Sequence, residues 1–137
     1  IGGGICKGLD FGDNTLAALV TRGLNEIVEF GIDSGAKRET FYGLGGLGDL
    51  VATVTSRHSR NYRFGLNIAK RKKSPNELIK DSNMVVEGYY TCNSIHKMSS
   101  PTSMPIINEM YKIMYENKNP SDAITSLMTR ELTTESD

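Results

Sequence analysis

Ser59, Arg60 and Asn61 stand side by side in the run Thr55-Ser56-Arg57-His58-Ser59-Arg60-Asn61-Tyr62-Arg63. These are side-chain types that hold a small anion. A guanidinium gives a phosphate or carboxylate two parallel charge-assisted hydrogen bonds, and a hydroxyl and an amide add further donors. A helix opening near Ser59 would add its free N–H groups and the positive end of its dipole. No acidic residue occurs from Leu50 through Asn76. Over the same stretch Arg57, Arg60, Arg63, Lys70, Arg71, Lys72 and Lys73 fall within 17 positions, seven of the chain's 16 basic residues. The cluster suits a small phosphate ester. A capped helix with a solvated basic face accounts for the same composition. A nucleic-acid stripe fits less well, because Tyr62 and Phe64 alone are available for stacking.

The second chemical stretch is Gly43-Leu44-Gly45-Gly46-Leu47-Gly48-Asp49-Leu50. Four glycines in six residues let a backbone approach a ligand closely. A dinucleotide-binding turn would need a strand before it and an acidic residue about 20 positions later, and neither is found. Asp49 has two readings: the N-cap of a helix, or a site carboxylate that accepts from a substrate hydroxyl or orients a catalytic amine. His58 lies within the anion cluster and His96 between Ile95 and Lys97, and neither has the companions of a metal ligand.

Helices must position these residues. Asp13-Asn14-Thr15 looks like a helix start, followed at helical spacing by Leu16, Leu19, Val20, Leu24, Ile27, Val28, Phe30 and Ile32. A helix from about Asp13 to Ser34 would be roughly 33 Å long. Gly23 in its middle reads as a point of close packing against a neighbouring helix. Ser74-Pro75-Asn76-Glu77 joins a cap, a proline at the first helical position and a glutamate at the third. Asn119-Pro120-Ser121-Asp122 repeats that logic. Met104 to Tyr115 sets Ile106, Ile107, Met110, Ile113 and Met114 on one face, to be packed within the chain or against a partner. No segment reads convincingly as a strand, and the expected class is all-α, with Lys70–Lys73 as a surface loop.

Composition bounds what this can be. The chain has 137 residues, 38% of them hydrophobic, and its 16 basic and 16 acidic residues cancel. Zero net charge removes a global electrostatic case for nucleic acid or membrane. No apolar run approaches the ~20 residues of a membrane span. Cys6 and Cys92 form neither a zinc spacing nor a disulfide framework, which suits a reducing cytosol. The opening Ile1-Gly2-Gly3-Gly4-Ile5 lacks an initiator methionine and is not a signal peptide, so Ile1 reads as a cut inside a longer protein.

Four ordered segments resemble the NAD(P)-dependent glycerol-3-phosphate dehydrogenase family: Gly4 through Thr15 (GICKGLDFGDNT), Gly45-Gly46-Leu47-Gly48-Asp49-Leu50, Ser56 through Asn61, and Val85-Val86-Glu87-Gly88. The similarity continues through Met104-Pro105-Ile106 and Arg130-Glu131-Leu132 and covers essentially the whole chain. The resemblance is to the family's all-helical C-terminal domain. It implies that residues 1–137 form one substrate-binding domain, with the N-terminal Rossmann domain absent from this sequence. The implied activity interconverts sn-glycerol 3-phosphate and dihydroxyacetone phosphate with NAD or NADP, feeding glycerophospholipid synthesis in the cytoplasm.

By position, the resemblance has Asp49 contact the substrate and the catalytic lysine, and Ser59, Arg60 and Asn61 hold the substrate. Thr53 assists, Arg60 also reaches the cofactor, and Val85 and Glu87 close over it. The family's general-acid lysine falls upstream of Ile1, and Lys7, at a variable position within the motif, does not replace it. The fragment alone is therefore expected to be inactive. The implied partners are the phosphate ester, the Rossmann domain and a second copy in a homodimer, with no nucleic acid and no membrane span. The alternatives are a related β-hydroxyacid or 6-phosphogluconate dehydrogenase domain, or a stand-alone helical phosphate-ester-binding or dimerisation module.

Overall fold

The computed structural model of the chain describes residues 1–83, 85–100 and 103–130. Glu131 and Leu132, the end of the last resembling segment, lie outside them. Among the described residues there are helices and no strand, the all-α class expected. The order is α1 (Gly2–Gly8), α2 (Asp13–Asp33), α3 (Arg38–Phe41), a π-helical turn (Leu44–Gly48), α4 (Asp49–Thr55), α5 (Arg60–Lys70), α6 (Pro75–Asp81), α7 (Glu87–Met98), α8 (Pro105–Tyr115) and α9 (Pro120–Thr129).

Helix α1 has no counterpart in the sequence reading, because three successive glycines argue against a helix. Packing overrides propensity here. A Cβ on Gly4 would lie 2.0 Å from the Tyr62 carbonyl oxygen, and one on Gly65 2.1 Å from the Ile1 carbonyl oxygen. The two backbones meet where no side chain fits, so the glycines bring α1 onto α5. Ile5 and Cys6 then enter the core beside Phe64 and Ile68.

Helix α2 starts at Asp13 as expected, but its buried face is not the apolar stripe alone. Ile27 is 42% exposed, whereas Glu26 is only 8% exposed. The Glu26 carboxylate accepts the backbone N–H groups of Ile106 at 2.8 Å and Ile107 at 3.3 Å. It thereby caps the free donors of α8, whose own N-cap residue Met104 makes no side-chain cap bond. Gly23 is not a point of forced contact: a Cβ there would lie 3.8 Å from Ile106 Cδ1, an ordinary packing distance.

The capping signals of the later helices hold. Ser74 Oγ accepts the Glu77 N–H while Glu77 accepts the Ser74 N–H, closing the capping box of α6. The Asn119 side chain accepts the Ser121 N–H at the start of α9. Met104, Met110, Ile113 and Met114 are all buried, so the methionine-rich face packs within this chain against α7 and α9. Lys70 is the last residue of α5, and Arg71 to Lys73 form an exposed connection to α6.

Candidate functional site

Ser59 is the N-cap of α5. Its extended backbone turns the hydroxyl back to accept the Tyr62 N–H at 3.3 Å. The cap uses one lone pair and leaves the hydroxyl proton free to donate. Arg60 and Asn61 follow on the first turn, where helical N–H groups have no intrahelical acceptor. Tyr62 and Phe64 are buried, so neither ring is offered to a base.

The N-terminus of α7 faces this turn. Asn61 Oδ1 accepts the Gly88 N–H at 3.0 Å, and Arg60 pairs with Glu87 at 2.6 Å. Asn61 Nδ2 has no partner among the described residues. Gly88 fits this contact closely, since a Cβ there would come within 2.7 Å of Asn61 Oδ1. Val86 is buried as the N-cap of α7, while Val85 beside it is largely exposed. The turn therefore brings together Ser59, Arg60, Asn61, Glu87 and Gly88, with Val85 on its outer edge.

Asp49 is not an N-cap. It is the first residue of α4, in helical conformation, and Gly48 precedes it as the cap with no side-chain bond. The π-helical turn feeds directly into α4, which leaves no extended residue from which a carboxylate could reach back. The Asp49 side chain is exposed and without a partner among the described residues. Thr53 lies one turn along, on the same face of the helix. The glycine-rich stretch is thus a short helical turn with Leu44 on its outside, not an open loop.

Beneath α4, α5 and α7 is a cavity of about 300 Å³ that Thr53, Asn61, Gly88 and Thr91 line on one side. Glu26, Cys92 and Met110 line it from α2, α7 and α8. Burial pushes the Glu26 carboxyl up to about 7, opposed by the N–H groups of Ile106 and Ile107. Sequence reasoning missed Glu26, although a glutamate inside the apolar stripe of α2 was the available signal. Burial also pushes the Cys6 thiol up to about 11 and the Cys92 thiol up to about 12. Both are free and buried, which makes them poor nucleophiles.

His58 is exposed, and His96 stacks on Tyr111 with ring centres 3.7 Å apart. Among the described residues no three His, Cys, Asp or Glu side chains gather as metal ligands. No helix of the described residues is long and apolar enough to cross a membrane.

The described residues thus form an all-helical domain in which the start of α5 faces Glu87 and Gly88 at the start of α7. The family model described as the C-terminus of NAD-dependent glycerol-3-phosphate dehydrogenase matches residues 1–125, and the chain belongs to that family. A glycerol-3-phosphate dehydrogenase [NAD(P)+] of Thermoanaerobacter sp. (strain X514) is 50% identical over 133 residues, 96% of this chain and 40% of that protein. One from Fusobacterium nucleatum is 45% identical, over 93% of this chain and 38% of its own length. The crystal structure of the Coxiella burnetii glycerol-3-phosphate dehydrogenase superposes with a TM-score of 0.86 at 36% identity, over 94% of this chain and 40% of that one. The chain spans about 40% of the length of the relatives it matches.

Proposed function

We propose that these 137 residues form the substrate-holding domain of an oxidoreductase that interconverts sn-glycerol 3-phosphate and dihydroxyacetone phosphate with NAD or NADP. The observation that carries this is the Ser59-Arg60-Asn61 turn on α5, bonded through Asn61 to the start of α7. Arg60 and Ser59 receive the phosphate ester as charge-assisted and neutral donors. Asn61 Nδ2 and Thr53 Oγ1, on the wall of one cavity, serve the substrate's oxygens. Asp49 accepts from the amine of a lysine outside this sequence, which supplies the proton to the carbonyl oxygen.

The cofactor side fits as well. Arg60, Val85 and Glu87 place a cation, an apolar contact and a hydrogen-bond acceptor on one edge, as a charged dinucleotide rich in hydroxyls requires. The nicotinamide cofactor supplies the hydride acceptor when bound. Its binding falls mainly to a Rossmann domain, so the isolated chain is inactive in this reading. The same reading places the protein in the cytoplasm, consistent with two free buried thiols. It gives a homodimer and no affinity for nucleic acid, which sedimentation and salt-titrated DNA binding check.

Calorimetric titration with sn-glycerol 3-phosphate tests the reading. Binding weakened about 10–100-fold by Arg60→Ala, the scale of a lost charged hydrogen bond, supports it. Tighter binding of 6-phosphogluconate points instead to the related dehydrogenase group. Unchanged affinity in Arg60→Ala contradicts a substrate role for that turn.

A further inference from the structure

Thr91 lines the cavity beneath α4, α5 and α7 and has no part in the reaction proposed above. The polar side chains on that wall are few. Glu26 is committed to the N–H groups of Ile106 and Ile107, and Cys92 Sγ lies 3.6 Å from the Ile107 carbonyl oxygen. Thr53, Asn61 and Thr91 are the other polar side chains lining it, and the rest of the lining side chains are apolar.

Two contacts between α5 and α7 fix where Thr91 stands. Arg60 pairs with Glu87 at 2.6 Å, and Asn61 Oδ1 accepts the Gly88 N–H at 3.0 Å. Thr91 follows Glu87 by four residues and Gly88 by three on the same helix, so it shares their side of α7. It lies one turn, about 6 Å along the axis, from the residue that meets Arg60. A three-carbon phosphate ester has that reach. Ser94, three residues further on, spends its hydroxyl on the Tyr90 carbonyl at 3.2 Å. The Thr91 hydroxyl makes no hydrogen bond with any described residue, and its side chain is exposed. It is therefore free both to donate and to accept.

We propose that Thr91 is a specificity-determining residue that hydrogen-bonds the C1 hydroxyl of the substrate, at the end opposite the phosphate. This rests on the function proposed above. The reaction changes C2, so the C1 hydroxyl is the same in sn-glycerol 3-phosphate and dihydroxyacetone phosphate, and one partner serves both. Against an otherwise apolar wall an unpaired substrate hydroxyl is costly, and pairing it rejects an analogue that lacks it.

Calorimetry of the 137-residue chain with sn-glycerol 3-phosphate and with 2-hydroxypropyl phosphate, the same molecule without its C1 hydroxyl, tests it. Thr91→Val, which removes the hydroxyl at nearly constant volume, should weaken sn-glycerol 3-phosphate about 3–10-fold and leave 2-hydroxypropyl phosphate unchanged. Thr91→Ser keeps the hydroxyl and should retain most of the affinity. Arg60→Ala should weaken both ligands alike, since both carry the phosphate. If Arg60→Ala weakens binding but Thr91→Val does not, the role of Thr91 is overturned and the substrate reading stands. Equal weakening of both ligands by Thr91→Val, or a serine variant as weak as the valine one, overturns that role in the same way. If neither ligand binds, or Arg60→Ala changes nothing, the substrate reading falls and the role of Thr91 falls with it.

Discussion

Asn61 Oδ1 accepts the Gly88 backbone N–H at 3.0 Å, so a side chain on the first turn of α5 holds the first turn of α7 across 27 residues of sequence. This bond joins the proposed substrate-holding turn to the segment proposed to close over the cofactor. Asn61→Ala leaves the Gly88 N–H without its acceptor at a half-buried position, which costs about 1–2 kcal/mol. Denaturant unfolding should show that loss. Asn61→Asp keeps an oxygen acceptor and should restore most of it.

The neighbouring Arg60–Glu87 pair behaves differently. Its side chains are 45% and 56% exposed, and exposed pairs of this kind contribute about 0–1 kcal/mol. Glu87→Gln should therefore leave the melting temperature nearly unchanged while releasing Arg60 from a carboxylate competitor. Binding of sn-glycerol 3-phosphate should tighten a few-fold in Glu87→Gln, measured by calorimetry at low salt. An unchanged affinity would mean that Arg60 does not choose between Glu87 and the phosphate.

Glu26 gives a pH dependence with a definite sign. Its folded value of about 7 lies above the ordinary 4.5, so the folded state binds the proton more tightly than the unfolded chain does. Its contribution to stability is fully present below pH 4.5 and is lost as pH rises through 7. Glu26→Gln removes this dependence. The stability difference between the two proteins should shift by roughly 3 kcal/mol in favour of the glutamine variant from pH 4.5 to 8. Equal pH profiles would mean that Glu26 is not buried against the start of α8.

Two glycines predict opposite outcomes for one substitution. Gly65→Ala drives a methyl group into the Ile1 carbonyl oxygen at 2.1 Å and should destabilise the fold by about 3 kcal/mol, as overpacking of rigid backbone does. Gly23→Ala places its methyl at an ordinary distance from Ile106 and should stabilise α2 by about 0.5–1 kcal/mol. Thermal unfolding of both variants checks the pair.

These glycines mark how far the sequence could be read. Local chemistry was legible: the Ser74 capping box, the Asn119-Pro120 start, the opening of α2 and a helix opening near Ser59 are all set by neighbouring residues, and all hold. Long-range contacts were not. Gly4 packs on the Tyr62 backbone and Gly65 on the Ile1 backbone, 58 and 64 positions away, so α1 drew no helix reading and Gly23 looked like the tight contact. Glu26 finds its partners 80 residues away, and no spacing rule announces that. The anion cluster was visible because its donors are consecutive. Its link to Glu87 and Gly88 became visible only once α5 and α7 stood side by side. Of the two readings of Asp49, the cap fails because the π-helical turn before it has no simple sequence signal.

The most direct test replaces the matching 133 residues of the Thermoanaerobacter relative with this chain and follows NADH and NADPH oxidation with dihydroxyacetone phosphate. The prediction is turnover by the chimera, with KM for dihydroxyacetone phosphate raised about 10–100-fold by Arg60→Ala and the folded state unchanged by circular dichroism. A chimera that folds and binds the cofactor but does not turn over, or one indifferent to Arg60→Ala, would contradict the claim that this chain holds the substrate.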